Sequence, residues 1–562
     1  MAPWWQSAVV YQIYPRSFAD SNGDGIGDLP GIVTHLDHLS ALGVDVVWLS
    51  PAYRSPMDDN GYDISDYSDI DPMFGTLADM DALIDGLHSR GMKLVMDLVV
   101  NHTSDEHPWF VESRDTSSPK RDWYVWRPAR PDHEPGTPGA EPTNWGSFFS
   151  GPGWQYDPVS SQYYLHLFSA KQPDLNWENP AVRQAVHQMM RWWLDRGVDG
   201  FRMDVINLIS KTYPLVDGPV NGPGGLCYDP SLVVEGPRLH EFLREMNREV
   251  GMTDRSLFTV GEMILVNVEQ ARSHTAAAAG ELGMVFTFEH MNLDQRGFKW
   301  DLKPLHLPDL KANLAQWQYG LAEEGWNSLY FENHDQPRSV SRFGDDSAEF
   351  RVASAKTLAT TLHLLKGTPY VYQGQELGMT NAGFTAIEQY NDLESLRFHT
   401  EALGQGSDPA ELMAVIAFKS RDNGRTPMQW DATANAGFTT GQPWLRVTPN
   451  HETVNAAAAI ADPDSVFHHY RQLIDLRHQL EVVRQGCFEL LLPEDESLFC
   501  YSRTLGAEVL LVVANWSSAP VTLPADGLPD LDGAQVLLGT HDSDAAELAA
   551  WESRIYRLET AG

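Results

Sequence analysis

The chain has 562 residues, of which 77 are acidic and 40 basic, and its formal net charge is −37. This length exceeds one ordinary domain and suits either one large barrel with additions or three to four domains. An acidic surface repels phosphate backbones and anionic bilayers, so nucleic-acid binding and membrane docking are both disfavoured. The longest apolar runs, such as Val509–Ala514, are far too short to span a membrane.

The three cysteines form an odd and widely spaced set, Cys227, Cys487 and Cys500. Neither a disulfide framework nor a cysteine zinc site is expected from this set. No basic residue precedes Arg16, and polar residues interrupt the first apolar stretch, so no secretory signal is expected either. Together these features predict a cytoplasmic protein.

The first 375 residues alternate short apolar runs with segments of helical period. Helix candidates near residues 32–42, 76–90 and 182–196 each end at a glycine. Eight repeats of strand and helix predict an α/β fold, the (β/α)₈ barrel. The eight predicted strands are Val9–Tyr14, Val44–Ser50, Lys93–Val100, Gly200–Val205, Leu257–Glu262, Met284–Phe288, Ser328–Glu332 and Pro369–Gln373.

Two stretches interrupt this rhythm. Residues 104–172, after the third strand, are rich in Pro, Gly, Trp and Tyr and are too long for a plain loop, which predicts an inserted small domain. A second irregular stretch, about 376–464, precedes an eighth helix near Val466–Leu480. From residue 481 short strand-like runs predict a C-terminal antiparallel β-sandwich, residues 481–562. The barrel then comprises residues 1–103 and 173–480.

Charged side chains stand at the ends of several predicted strands, where barrel enzymes carry their catalytic groups. The third strand leads into Asp97–His102, the fourth is Gly200–Val205, the fifth ends in Gly261–Glu262 and the seventh in Glu332–Asp335. Asp204, Glu262 and Asp335 are therefore expected on one rim. Arg202 faces the same side as Asp204 because side chains alternate along a strand. A single member would be a structural ion pair, but the whole set points to chemistry.

Such a cluster suits glycoside cleavage. Two carboxyl groups about 5–5.5 Å apart perform the retaining reaction, in which one attacks the anomeric carbon and the other transfers protons. The charge of Arg202 is expected to keep Asp204 ionised. Neighbouring negative charge is expected to raise the pKa of Glu262, as an acid catalyst needs.

The motifs resemble those of the α-amylase superfamily, glycoside hydrolase family 13, over essentially the whole chain. The four strand-end motifs occur in the order of that family, together with Gln172–Asn176. Three further segments make the oligo-1,6-glucosidase and α-glucosidase branch the closer match: Val10–Phe18, Asn60–Ile64 and Asn423–Trp430.

The resemblance implies roles for individual residues. It makes Asp204 the nucleophile, Glu262 the acid/base and Asp335 the residue that stabilises the transition state through sugar hydroxyls. For the histidines in this set the plain alternative is a satisfied core residue, and for Tyr62 it is ordinary packing. The residues implied to bind the glucose are Asp63, His102, Arg202, His334 and Arg425, with Tyr62 stacking on its ring.

Val205 follows the implied nucleophile. In the resembling branch a valine here is typical of enzymes that prefer α-1,6 links, whereas smaller or polar residues are typical of α-1,4 enzymes. The physical idea is steric, because a β-branched side chain would reshape the floor of the leaving-group subsite. The alternative is a β-branched residue that simply suits a strand.

The segment after the first strand carries oxygen ligands at regular spacing. Asp20, Asn22, Asp24, the carbonyl of Ile26 and Asp28 suit a hard cation. The pattern resembles the first part of an EF-hand loop but lacks its final bidentate glutamate, and the same loop binds calcium in the resembling branch. One structural Ca²⁺ or Mg²⁺ is expected, with no organic cofactor. The alternative is an Asx-rich turn without metal.

The predicted function is an exo-acting, retaining α-glucosidase that releases glucose from short α-glucosides, isomaltose-like oligosaccharides first, as a monomer or homodimer. An α-1,4-glucosidase, a sucrose-active hydrolase or isomerase, and a transglucosylase remain open on the same scaffold. A non-catalytic transporter partner is a remote alternative, because such relatives have lost catalytic acids that this chain retains.

Overall fold

The computed structural model describes residues 3–541 and 546–559. Its largest sheet has eight parallel strands in the order β6-β5-β4-β3-β2-β1-β8-β7, so β1 pairs with β8. A parallel sheet in which the first strand pairs with the last is that of a (β/α)₈ barrel, which confirms the predicted fold class. The strands are β1 Val10–Ile13, β2 Val46–Leu49, β3 Lys93–Val99, β4 Gly200–Asp204, β5 Phe258–Glu262, β6 Met284–Phe286, β7 Ser328–Leu329 and β8 Thr368–Tyr372.

All eight predicted runs overlap a strand of this sheet, and β8 begins at Thr368, one residue before its predicted run. Every residue of β1, β2, β4 and β8 is buried, as expected for parallel strands covered on both faces. The strand β7 is shorter than predicted, because it ends at Leu329 rather than Glu332. The motif Glu332–Asp335 therefore lies in the loop after β7.

The predicted helix ends are confirmed at two glycines. Gly43 and Gly197 have φ angles of 93° and 117°, and each adopts the left-handed conformation that ends the preceding helix. The longer helices that accompany the barrel strands are Leu29–Thr34, Leu36–Leu42, Leu77–His88, Pro180–Arg196, Leu239–Val250, Val268–Thr275, Leu307–Gly320, Arg351–His363 and Val466–Gln479.

The chain forms two compact units. The first unit comprises the chain up to Trp48, Asp85–Lys93 and the chain from Phe288 onward, and the second comprises Leu49–Ile84 and Leu94–Thr287. The second unit holds an antiparallel sheet of Trp126–Arg127, Trp154–Asp157 and Gln162–Leu165, a strand pair Tyr53–Arg54 and Asp66–Ile70, and the helix Pro108–Ser113.

The small sheet lies within the segment predicted to be an inserted domain. Three aromatic residues of this segment are structural, since Trp145, Trp154 and Tyr163 lie in one buried hydrophobic cluster. The domain boundaries at residues 103, 172 and 480 stay predictions.

In the first unit, the stretch 376–464 is more regular than predicted. It contains the helices Leu393–Gly404, Pro409–Lys419, Asp422–Arg425 and Ala456–Ala461. Asp392 and Asp408 cap the first two of these by accepting backbone N–H groups of the first turn. The expectation of an irregular segment was wrong because these Asp caps, and Pro409 at a first helical position, were not counted as helix starts.

The C-terminal part of the first unit is antiparallel, as predicted. Its five-stranded sheet has the order Cys487–Leu491, Leu498–Leu505, Glu508–Asn515, Ser553–Glu559 and Gln535–Gly539, beside the pair Val521–Thr522 and Glu547–Leu548. All three cysteines are free thiols. Among the residues that the structure describes, no helix combines the length and the apolarity needed to cross a bilayer.

Candidate active site

One arginine of the second unit holds three carboxylates at the ends of neighbouring strands. Arg202 is buried and places Nη1 2.7 Å from Asp97 Oδ1 and Nη2 2.7 Å from Glu262 Oε2, and Nη1 also donates to Asp204. Asp204 and Glu262 are the last residues of β4 and β5, and the parallel register sets Val260 beside Arg202. The pairing of strands thus brings together Arg202, Asp204 and Glu262 of the predicted cluster.

Arg202 brings Asp204 and Glu262 together, because Nη1 donates to Asp204 and Nη2 lies 2.7 Å from Glu262 Oε2. Inverting glycosidases hold their acids roughly 6.5–9.5 Å apart to admit a water molecule between them. Two carboxyl groups bound by one guanidinium fit the closer spacing of the retaining arrangement.

Burial dominates the protonation of Asp204. Removal from water raises the pKa of this carboxyl to about 6, although Arg202 lowers it. The sequence-based expectation was right about the direction in which Arg202 acts, but it omitted the larger effect of burial. Asp204 is still mostly ionised at neutral pH.

Val205 has a backbone conformation that a β-branched residue rarely adopts. Its φ and ψ are 37° and 41°, in the left-handed region, and its N–H donates to Glu262 Oε2 at 3.0 Å. The strand β4 ends one residue earlier, so the alternative that valine merely suits a strand is wrong. Strain of this kind persists where the surrounding structure requires it, often at functional sites. The Val205 side chain lies in the hydrophobic cluster of Trp145 and Trp154.

His102 and Tyr62 lie in the second unit beside the carboxylates that Arg202 binds. His102 Nε2 is 3.1 Å from the carbonyl of Tyr62 and 3.2 Å from Gln172 Nε2. Burial lowers the pKa of His102 to about 4, so its imidazole is neutral at pH 7. The Tyr62 hydroxyl is 3.4 Å from Asp97 Oδ2, and the guanidinium of Arg202 lies 5.8 Å from the Tyr62 ring.

Asp63 organises the loop that precedes it. Its carboxylate accepts hydrogen bonds from Ser55 Oγ at 3.0 Å and from the backbone N–H groups of Asp58 and Asp59 at 2.9 and 3.0 Å. The residue is fully buried, and burial raises its pKa despite these bonds. In this conformation both oxygens hold the loop.

The first unit contains a second group of predicted site residues around Asp335. Arg425 Nη2 and Arg421 Nη1 lie 2.8 and 3.2 Å from Asp335 Oδ1, and His334 Nε2 lies 3.2 Å from Oδ2. The Asp335 side chain retains 32% exposure, more than the Asp204 or Glu262 side chains. Two arginines therefore fix one oxygen of Asp335.

His334 is oriented from its other side. Its Nδ1 is 2.7 Å from Gln12 Nε2, and its ring stacks on Tyr14 with centroids 6.1 Å apart. Its carbonyl accepts from Arg425 Nε at 2.8 Å. This places Gln12 and Tyr14, from the motif around β1, beside His334 within one unit.

Sequence reasoning gave no role to Arg421 or Asp97, although both contact predicted site residues. Asp97 lies on the predicted third strand, and the alternation of side chains was the available signal. Arg421 is four residues before Arg425, one helical turn away, and Asp392 holds it at 2.7 Å. Only the fold brings residue 392 there, so no local signal existed.

The predicted cation loop lies in the first unit. Asp20 accepts backbone N–H bonds from Gly23 and Gly25, and Asn22 and Asp24 accept from residues two positions on. Thr439 also donates to Asp20 at 2.5 Å. Burial raises the pKa of Asp20, but these hydrogen bonds outweigh it and keep the pKa low.

The loop fits a hard cation by its donor set, which is all oxygen and includes three carboxylates. The turn also requires glycine, because a Cβ on Gly25, at φ 93°, would lie 1.8 Å from the carbonyl oxygen of Gln442. Among the described residues, Asp20, Asp24 and Asp28 are not a group with all ligand atoms within 4.8 Å. Binding of an ion would require these carboxylates to move closer together.

Known proteins of similar sequence and structure show the family to which the chain belongs. Residues 12–486 match the alpha amylase catalytic domain family. The chain is 54% identical to the oligo-1,6-glucosidase of Parageobacillus thermoglucosidasius, over 99% of each chain. The crystal structure of trehalose-6-phosphate hydrolase from Bacillus licheniformis superposes with a TM-score of 0.93 at 45% identity, covering 99% of this chain and 100% of that one. Isomaltulose synthase SmuA from Protaminobacter rubrum gives a TM-score of 0.93 at 40% identity, covering 100% of each.

Proposed function

Because the chain belongs to the α-amylase family of glycoside hydrolases, we propose that it is a retaining α-glucosidase. It releases glucose from the non-reducing end of short α-glucosides and prefers α-1,6 links. The observation that carries the proposal is the pair of carboxylates Asp204 and Glu262 at the ends of β4 and β5, both held by the guanidinium of Arg202.

The first half of the reaction breaks the glycosidic bond. The Asp204 carboxylate attacks C1 of the glucose and forms a C1–O ester while the bond from C1 to the leaving oxygen breaks. Glu262 gives its proton to that oxygen, so the leaving sugar departs neutral. The backbone N–H of Val205 orients the Glu262 carboxyl for this transfer.

The second half restores the enzyme. The Glu262 carboxylate takes a proton from water, whose oxygen attacks C1 and breaks the ester to Asp204. Asp335, fixed by Arg421 and Arg425, accepts hydrogen bonds from the sugar hydroxyls and stabilises the transition state. We propose that His102, His334, Asp63 and Arg425 bind the glucose and that Tyr62 stacks on its ring.

The preference for α-1,6 links rests on Val205. The strained valine lies between the nucleophile and the helix turn that follows, and we propose that its β-branched shape sets the preference. We expect Val205→Ala to lower the isomaltose-to-maltose ratio of kcat/KM by several fold, because loss of both γ-methyl groups changes the shape of the leaving-group subsite. The matched control is Val233→Ala, in the same hydrophobic cluster but not adjacent to Asp204. An equal change of ratio in both variants would contradict the role of Val205.

A hydrolase fits this chain better than a sucrose isomerase. Sucrose isomerases carry an arginine-rich loop after the strand-seven motif. The two arginines here face inward instead, because Arg338 binds Glu332 and Arg342 binds Asp294 at 2.7 Å, all of them buried. Water is therefore proposed as the usual acceptor, with transfer to sugars as the alternative.

The proposal is tested with a panel of substrates at matched concentrations: isomaltose, maltose, sucrose, trehalose and trehalose 6-phosphate. Isomaltose is expected to give the fastest release of glucose. The last substrate is included because a trehalose-6-phosphate hydrolase superposes with a TM-score of 0.93. If trehalose 6-phosphate were hydrolysed fastest, the family and the mechanism would be retained, but the proposed preference for isomaltose would be wrong.

The pKa of Asp204 sets the acid limb of the pH profile. Since the nucleophile must be ionised, kcat/KM for isomaltose is expected to fall as the pH decreases through about 6. The measurement is kcat/KM between pH 4.5 and 8, with the folded fraction checked by circular dichroism at each pH. A midpoint near 4 with intact protein would contradict the dominant effect of burial.

We also propose that the loop of Asp20, Asn22, Asp24, Ile26 and Asp28 binds one Ca²⁺, with Mg²⁺ as the alternative. The ion would tie the loop after β1 and would take no part in bond cleavage. Support comes from the all-oxygen donor set and from the requirement for glycine at Gly25.

At a free ion concentration of 100 times Kd, binding adds about 2.7 kcal/mol to the free energy of unfolding. Removal of the ion from that state is therefore expected to lower Tm by about 2–3 °C. Dialysis against EGTA and re-addition of CaCl₂ measure this shift by calorimetry. Asp24→Ala should abolish the shift, whereas Asp526→Ala, another exposed aspartate, should keep it. A Tm indifferent to EGTA and CaCl₂ would support a metal-free turn.

We propose that the enzyme works in the cytoplasm as a monomer or homodimer. The three free thiols, one of them exposed, suit a reducing compartment.

A further inference from the structure

A cluster of histidine and glutamate lies in the second unit, outside the residues assigned to catalysis. It joins the helix Leu239–Val250, which bears His240, to the helix Val268–Thr275, which bears His274, and to Glu281 beyond it. Among the residues that the structure describes, these three side chains form the one group of His, Cys, Asp or Glu whose ligand atoms all lie within 4.8 Å. From this group we infer a binding site for one transition-metal ion of the zinc class.

The ring nitrogens converge on one carboxylate. His274 Nδ1 is 2.7 Å and His240 Nδ1 3.0 Å from Glu281 Oε2, and the two imidazole rings stack with centroids 4.5 Å apart. Two imidazole nitrogens and one carboxylate oxygen are a set that zinc enzymes use, with a fourth position left for water. Nitrogen ligands favour Zn²⁺ and its neighbours over Ca²⁺ or Mg²⁺.

The hydrogen bonds around His274 match those that usually orient a histidine bound to a metal. A histidine that binds a metal through one nitrogen usually donates its other N–H to a carboxylate. His274 does so, because its Nε2 lies 2.9 Å from Glu235 Oε2, which directs Nδ1 toward Glu281. Arg244 Nε lies 2.9 Å from Glu281 Oε1 and leaves Oε2 for the ion.

The charge and access of the site also fit a cation. Two carboxylates, Glu281 and Glu235, lie against His274, an arginine is paired with Glu281 alone, and Glu235 Oε1 is buried without a hydrogen-bond partner in the described part of the chain. His274 and Glu281 are inaccessible, but the His240 side chain is 44% exposed. An ion can thus enter from the side of His240, which has room to move. Once bound, it would cross-link two helices that follow the catalytic strands β4 and β5.

The competing occupant is a proton on His274. Its ring bridges Glu235 and Glu281, which raise its pKa to about 9 although burial lowers it. A metal ion must displace this proton, so binding releases protons and is measured at pH 8.5.

The test is equilibrium dialysis of the full chain against ZnCl₂ with excess CaCl₂, followed by elemental analysis, and calorimetric titration with ZnCl₂. We expect one Zn²⁺ per chain and at least tenfold weaker binding in His240→Gln, a change at a side chain that is 44% exposed. His274→Gln and Glu281→Gln should lose the ion entirely. The matched control His306→Gln, an exposed histidine 3.1 Å from Asp309, should bind Zn²⁺ as the parent does.

Replacement of Zn²⁺ by Co²⁺ gives a second readout, because the visible spectrum of the ion reports its ligands. Intense bands in the parent that are lost in His240→Gln would support the site without relying on the buried variants. Failure of the parent to retain Zn²⁺, or retention unchanged in His240→Gln, would overturn the inference and leave a protonated His274 between two glutamates.

Discussion

Asp204→Asn is expected to lower kcat/KM for isomaltose by roughly 10⁴-fold or more, because the amide cannot form the glucosyl ester. The same variant is expected to be more stable than the parent at neutral pH. The folded protein holds the Asp204 pKa at about 6, above the value of 3.8 for an exposed aspartate, so ionising it opposes folding. The difference of about two pKa units corresponds to about 3 kcal/mol.

The sign of this effect gives it a pH signature. A carboxyl with a raised pKa contributes its full stability below about 3.8, and that contribution is lost as the pH rises to 6. The gain from Asp204→Asn should therefore be complete above pH 6 and vanish near pH 4. Denaturant unfolding at pH 4, 5.5 and 7.5 measures it.

Asp199→Asn is the matched control, because Asp199 precedes β4 and its carboxylate accepts the backbone N–H of Leu94 at 2.9 Å. It should retain activity and show no gain in stability. An Asp204→Asn variant that is inactive but less stable than the parent at pH 7.5 would contradict the account of buried charge.

Glu262→Ala is expected to lower kcat/KM for isomaltose by about 10³–10⁴-fold, because the leaving sugar then departs without a proton. An aryl α-glucoside with an acidic phenol needs no such proton, so the rate of its first step should fall much less. Added azide should speed the second step and yield α-glucosyl azide, since azide attacks the ester without a general base.

The comparison of the two substrates is the control in this experiment. Equal losses on isomaltose and on the aryl glucoside, with no azide product, would mean that Glu262 is not the acid/base. Loss of the Val205–Glu262 hydrogen bond is common to both substrates and cannot produce the difference between them.

The sequence predicts the barrel well because its signals are local. Apolar runs of strand length and glycines after helices mark β1 to β8 and the helix ends at Gly43 and Gly197. The carboxylates at strand ends could also be placed, since parallel strands present their C-termini at one edge.

Three kinds of feature lay beyond that reasoning. Electrostatic balance depends on how deeply a group is buried, so the raised pKa of Asp204 could not be foreseen from its neighbour Arg202. Partners distant in sequence were also hidden, as Asp392 for Arg421 and Glu281 for His240 show. The left-handed backbone of Val205 is a third case, because valine gives no signal for positive φ.

The central claim is retaining cleavage through a glucosyl ester on Asp204, and proton NMR of isomaltose hydrolysis tests it most directly. Anomeric signals are followed with enough enzyme that hydrolysis outpaces mutarotation. The reducing residue is released as the α/β mixture already present in isomaltose, so the account predicts an initial excess of α-glucose over that mixture, which decays as mutarotation proceeds. An initial excess of β-glucose over that mixture would show inversion and contradict the roles given to Asp204 and Glu262.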